Sequence, residues 1–213
     1  DIVHIHTPFV EHYLGIKLAR LLGTPCVETY HTFFEDYLHH YLPWIPASFA
    51  RSLARMISRR QCNAVGAIVA PSQPMLDVLR QYGVTTNAEV IPTGLQPNSF
   101  SPADGEAFRA KYGIALERPL TLYVGRVAFE KNIDFLLRMA YELRKKRPDV
   151  LLLVTGEGLA EAGLHELTKE LSLQDNIQFI GYLDRHTELN ACYKAADVFV
   201  FSSKSETQGL VLL

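Results

Sequence analysis

Apolar positions follow two alternating periods along the chain. Short, strand-length apolar runs at 2–6, 26–30, 67–70 and 89–91 are separated by longer stretches near 11–22, 47–64 and 73–82, where apolar residues recur every three or four positions. This alternation predicts βαβ units with parallel strands. The stretch 92–102 lacks either period and is dense in breakers, with Pro92, Gly94, Pro97 and Pro102. It divides the chain into a first domain, 1–95, and a second, 96–213. The rhythm then restarts, with strands near 120–124, 150–155, 177–180 and 198–201 and helices near 104–112, 132–147, 159–172 and 186–195. The expected fold is α/β, two Rossmann-like halves facing a cleft. Open sheets of this kind bind ligands at the carboxyl ends of their strands, so the chemistry is sought in the loops that follow strands.

Composition adds mainly exclusions. The 213 residues are 48% hydrophobic, and 21 Lys and Arg nearly balance 23 Asp and Glu, which suits a soluble globular chain and gives nucleic acid no basic surface. Cys26, Cys62 and Cys192 are odd in number and widely spaced, so neither a disulfide framework nor a zinc site is expected, and a reducing cytosol fits. No apolar run approaches the roughly 18 residues of a membrane span, and no secretory signal is visible. The chain opens on Asp1 with apolar alternation already under way, so a fragment of a larger protein is expected.

Three loops carry candidate chemistry. Gly125-Arg126-Val127-Ala128-Phe129-Glu130-Lys131-Asn132 places Arg126 and Lys131 between a strand and a helix, where a planar fork and a point charge can converge on a diphosphate. In Ser202 to Leu213, a polar turn with Glu206 and Gly209 leads into an apolar helix start. Backbone N–H groups of Gly209, Leu210 and Val211 would favour a phosphate there, with Glu206 beside it to hold sugar hydroxyls. His31 follows the strand ending at Tyr30 and should project into the cleft. Gly156-Glu157-Gly158 suggests a dinucleotide loop, but Glu161 stands where the third glycine is needed, so that reading is poor. His4 and His6 share one strand face without a third ligand, and no metal site is assigned to them.

Glu206 followed by seven residues to the end of the chain, with Arg126 and Lys131 in the earlier loop and His31 in a His-Thr context, resembles the retaining glycosyltransferases of family 4 on a GT-B fold. The resemblance spans Asp1 to Leu213 and implies an acceptor-side domain followed by a donor domain. The second Glu of the motif would be the next residue, so the parent gene should continue with a Glu codon, and the chain alone should be inactive. The resemblance further implies that Arg126 and Lys131 stabilise the departing nucleoside diphosphate, Glu206 orients the sugar and His31 lies beside the reaction centre. Gly125, Gly156, Gly158, Gly181, Tyr182, Leu183, Gly209, Leu210 and Val211 would line the donor site, with the strand end Ile180-Gly181-Tyr182-Leu183 meeting the base through its backbone. No metal and no cofactor is implied, the nucleotide sugar being a substrate. The resemblance implies that a phosphate oxygen takes the acceptor's proton and that no enzymic base is needed.

The aromatic stretch Glu35 to Pro46, including Trp44, precedes Arg51, Arg55, Arg59 and Arg60, with Phe49, Leu53, Met56 and Ile57 on other faces of the same predicted helix. Such a helix either packs on its sheet with its arginines outward or lies on an anionic bilayer. Tyr30-His31-Thr32, Glu35 to His39, Gln208 and Pro92-Thr93-Gly94 resemble the branch that glucosylates diacylglycerol. Glucose transfer from UDP-glucose to a lipid is therefore the expected activity, in the cytoplasm or peripherally on the inner face of its membrane. A soluble sugar or polysaccharide acceptor, a sugar-nucleotide epimerase and a non-catalytic nucleotide-sugar binding module are the alternatives.

Overall fold

The computed structural model describes residues 1–33, 35, 44, 46–95 and 102–212. Most of the aromatic stretch, Asp36 to Pro43 with Ile45, and the boundary drawn at residue 96 lie outside the described residues. The chain forms two compact units, Asp1–Gly94 with Ser205–Leu213, and Leu95–Lys204.

The first unit is a parallel sheet of β1 (Val3–Ile5), β2 (Cys26–Thr29), β3 (Ala67–Ala70) and β4 (Ala88–Val90), in that spatial order. The crossovers are α1 (Val10–Leu22), α2 (Ala47–Cys62) and α3 (Gln73–Gln81). α1 ends at Gly23, whose left-handed backbone returns its N–H to the last turn. α3 begins at Ser72, whose hydroxyl accepts from the N–H of Met75, with Pro74 in the first turn. Ile5, Tyr30, Ile68, Met75 and Leu79 form the core. Inside it, His12 Nδ1 of α1 lies 3.1 Å from Glu28 Oε2 of β2, both side chains buried. Burial pushes the Glu28 carboxyl up to about 7 and pulls the His12 imidazole down, so the pair tends to hold one proton and avoids two buried charges.

The second unit is a parallel sheet of β5 (Leu120–Val124), β6 (Leu151–Thr155), β7 (Ile177–Gly181) and β8 (Val198–Phe199), in the order β7-β6-β5-β8. Leu152 and Val154 pack with α5 (Ile133–Arg144) and α6 (Glu161–Glu170) on one face. Leu151 and Leu153 pack with α4 (Gly105–Lys111) and α7 (Leu189–Ala195) on the other. Alternate residues thus serve opposite faces, and the two central strands read as continuous apolar runs because both faces are covered. α7 starts later than the pattern predicts, because the Asp184 carboxylate accepts from the N–H groups of His186 and Thr187, at 2.9 Å each, and holds a turn there. Buried Arg109 donates to the carbonyls of Ala195, Ala115, Leu116 and Arg118 and to Asp197, tying α4 to the strand starts. A recess of about 620 Å³ beside it, lined in part by Asp104, Arg109, Lys194 and Asp197, lies at the amino-terminal end of this sheet.

No helix among the described residues is long and apolar enough to cross a membrane.

Candidate functional site

In the second unit the site residues lie at the carboxyl ends of β5 and β6. The N–H of Gly125 donates to Thr155 O, the hydroxyl of buried Tyr123 donates to Arg126 O at 3.1 Å, and the N–H of Val127 donates to Glu157 O at 2.9 Å. The β5 loop is therefore anchored residue by residue on the β6 loop. Gly156 and Gly158 make this approach possible: a Cβ on Gly156 would stand 1.9 Å from Gly125 O, and one on Gly158 2.3 Å from Val127 O. Their immediate physical role is backbone contact between the two loops.

The anchored loop presents Arg126 on the surface and turns through a short 3-10 segment, Phe129–Lys131. Arg126 Nη2 donates to Glu130 Oε1 at 2.8 Å, with the arginine side chain 68% exposed and the glutamate side chain 4%. Ser202 follows β8 and donates its hydroxyl to the carbonyls of Lys131 and Asn132, both at 2.9 Å, while Asn132 Nδ2 donates to Ser202 O. The backbone at Lys131 is thus held by the loop after β8, the strand beside β5. Two cations at a strand end ahead of α5, Arg126 held by Glu130 and Lys131 on an anchored backbone, can complement a diphosphate.

At the end of β7, Gly181 O already accepts from Thr155 Oγ1 and from the N–H of Gly156, both at 2.8 Å. Beyond it Tyr182 is exposed, at 69%, and Leu183 is buried.

In the first unit, the Ser205–Leu213 segment carries Glu206, exposed, and a 3-10 turn, Leu210–Leu212, in place of the start of a longer helix. Gly209 sits at φ +70°, a conformation that L side chains rarely adopt. The first N–H groups of such a turn have no partner within it. Two contacts fix the segment: Ser72 Oγ donates to Thr207 O at 2.6 Å, and the Gln208 amide pairs with both the N–H and the carbonyl of Thr93, at 3.0 and 3.1 Å.

His31 follows β2 and meets β1: its Nε2 is 3.1 Å from His6 Nδ1, and the rings stack at 5.4 Å. His4, the other member of the pair on β1, lies 4.1 Å from His6 by ring centroid and bonds Thr29 Oγ1. Burial, and then the charges of His6 and His4, hold the His31 imidazole below its ordinary range, and burial with His6 does the same for His4. Among the described residues no group of three or more His, Cys, Asp or Glu is arranged to hold a metal ion.

On α2 the contact with the unit is made by Ala50, Ala54, Ser58, Gln61 and Cys62. The larger apolar residues face outward, Phe49 at 59%, Met56 at 42% and Ile57 at 38% exposure, beside exposed Arg51, Arg59 and Arg60. Trp44 is also exposed. Arg55 differs from the other arginines by pairing with Glu35. Burial opposes the Glu35 charge, but the hydrogen bonds from Arg55 and Tyr82 outweigh it and lower the carboxyl's pKa.

Both parts of the chain match family profiles. Residues 104–213 match "Glycosyl transferases group 1" and residues 1–99 match "Glycosyltransferase Family 4". The chain belongs to the group 1 glycosyltransferases. It is 34% identical, over its whole length and 49% of the relative, to alpha-monoglucosyldiacylglycerol synthase of Streptococcus pneumoniae. It is 29% identical, over 99% of its length and 54% of the relative, to the enzyme of the same name from Acholeplasma laidlawii. It therefore spans about half the length of these curated relatives. Sucrose-phosphate synthase of Thermosynechococcus elongatus shares the fold, with a TM-score of 0.79 at 23% identity over 99% of this chain and 52% of that one. The GT-B class expected from the sequence is the class of such neighbours.

In the sequence, Arg126, Lys131, Glu206 and His31 stand after strands, but the residues that hold them do not stand out. Ser202 and Thr155 act through hydrogen bonds whose partners lie elsewhere in the fold, whereas Glu130 and Tyr123 bond Arg126 within the same strand and loop. The local spacings, Tyr123 with Arg126 and Arg126 with Glu130, do not by themselves mark either contact. His4 and His6 read only as a pair without a third ligand, and the contact of His6 with His31, 25 positions away, has no local trace.

Proposed function

We propose that the full-length protein transfers a hexose, glucose from UDP-glucose, to the hydroxyl of a lipid acceptor such as diacylglycerol, with retention at the anomeric carbon. The observation that carries this reading is the pair Arg126 and Lys131, fixed at the carboxyl end of β5 in a chain of the group 1 family. As the glycosidic bond breaks, negative charge grows on the diphosphate. Cations already held in place stabilise that charge without reorganising. Glu206 holds sugar hydroxyls, the N–H groups at Gly209 to Val211 meet a phosphate, and the departing phosphate oxygen takes the acceptor's proton. The family resemblance assigns His31, whose imidazole burial holds below its ordinary range, a hydrogen-bonding role toward the donor sugar. No metal or cofactor enters the scheme.

The lipid acceptor is supported by the two synthases to which the chain is similar and by α2, where arginines flank outward apolar side chains. A helix of this kind is drawn to an anionic surface by charge and held there by its apolar residues. The enzyme would then work in the cytoplasm, on the inner face of the membrane. Incubating the full-length protein with labelled UDP-glucose and a panel of acceptors tests the reading. Label on diacylglycerol is expected; free epimerised donor without acceptor, label only on soluble sugars, or binding without turnover would each replace it.

A further inference from the structure

Resting on that reading, we infer that Glu130 is the positioning residue for Arg126: its buried carboxylate fixes one edge of the guanidinium so that the remaining N–H donors meet the leaving diphosphate already ordered. A carboxylate so buried needs a counter-charge nearby. Arg126 supplies it through one contact, Nη2 to Oε1 at 2.8 Å. The other oxygen, Oε2, is buried and has no hydrogen-bond partner among the described residues.

The dependence also runs the other way. The Arg126 side chain is 68% exposed, and a long side chain in water samples many rotamers unless something holds it. Glu130 can hold it because its own backbone is set on both sides. Val127 and Ala128 are buried, the N–H of Lys131 donates to Ala128 O, and the N–H of Lys204 approaches Glu130 O. A guanidinium has five N–H donors in a fixed fork, and one is engaged here. The rest are available to an anion in a defined orientation. Glu130 therefore acts through Arg126 and touches no substrate.

A double-mutant cycle in the full-length protein, with UDP-glucose and the lipid acceptor, tests this. Glu130→Ala is expected to lower kcat about tenfold, the order of loss when a catalytic group is misplaced, with KM for UDP-glucose within about twofold. Glu130→Gln, which keeps an acceptor for Nη2, should recover most of the rate. In the Arg126→Ala background, Glu130→Ala should cause no further loss, since the group it positions is gone. An equal loss in both backgrounds, or a wild-type rate for Glu130→Ala, would overturn the assignment. If Glu130→Ala does not fold, Glu130→Asp, which retracts the carboxylate by one methylene, gives the same cycle. A wild-type rate for Arg126→Ala would remove the proposed role of Arg126 and this inference together, whereas a slow Arg126→Ala beside a normal Glu130→Ala removes only the role of Glu130.

Discussion

Arg126 and Lys131 show how a pair that resembles ordinary surface charge becomes a candidate site. Tyr123, Glu130 and Ser202 fix the backbone or side chains around them. Arg126→Ala or Lys131→Ala in the full-length protein should lower kcat by about two to three orders of magnitude, the usual cost of losing a group that stabilises developing charge. Near-normal rates in both variants would exclude them from the mechanism. The His6–His31 contact gives a second test, by NMR titration. His6 is one of the causes that hold the His31 pKa down, so His6→Ala should move it upward. An unchanged or lower value would contradict the assigned cause. Arg126, Lys131, Glu206 and His31 were readable because each follows an apolar run. Ser202 was not, because its role rests on contacts about 70 residues away.

At the scale of elements, the two periods located every strand and helix named above, with differences at the ends. Those differences have local causes, such as the Asp184 turn that delays α7. What the patterns could not reveal is how closely loops approach one another. Gly156 stands at φ +121° with no room for a Cβ, so Gly156→Ala should destabilise the second unit by at least about 2 kcal/mol, through strain and overlap with Gly125 O. A thermal melt unchanged from wild type would contradict this.

The α1–β2 contact predicts a pH dependence. Glu28 is raised from 4.5 to about 7, so the stability it contributes is complete below about 4.5 and lost as pH rises through about 7. His12 is lowered from 6.5, so its contribution is complete above about 6.5 and lost as pH falls through the folded value. Glu28 should therefore make stability fall between about pH 4.5 and 7, by no more than about 1.4 kcal/mol per pH unit for one proton, with His12 offsetting part of that fall below about 6.5. Glu28→Gln should remove that fall; the same slope in the variant would exclude Glu28 as its source.

For the whole molecule, the chain spans about half of the relatives it matches, so activity has to be measured on the full-length protein. The outward residues of α2 make membrane contact a testable property. Each cation near an anionic surface contributes about 1 kcal/mol, so replacing Arg51, Arg59 and Arg60 with Ala should weaken sedimentation with anionic vesicles by about a hundredfold. Leaving neutral vesicles unaffected would mark the loss as electrostatic, and undiminished binding to anionic vesicles would place the contact elsewhere.

The central claim is that hexose passes from a nucleotide sugar to a lipid under the charge of the β5 loop. The most direct measurement follows label from UDP-glucose into the organic phase, using full-length wild type and Arg126→Ala with liposomes that contain or lack diacylglycerol. The account predicts organic-phase label that requires diacylglycerol and falls at least about a hundredfold in the variant. Wild-type label that stays in the aqueous phase, or a variant as fast as wild type, would contradict it.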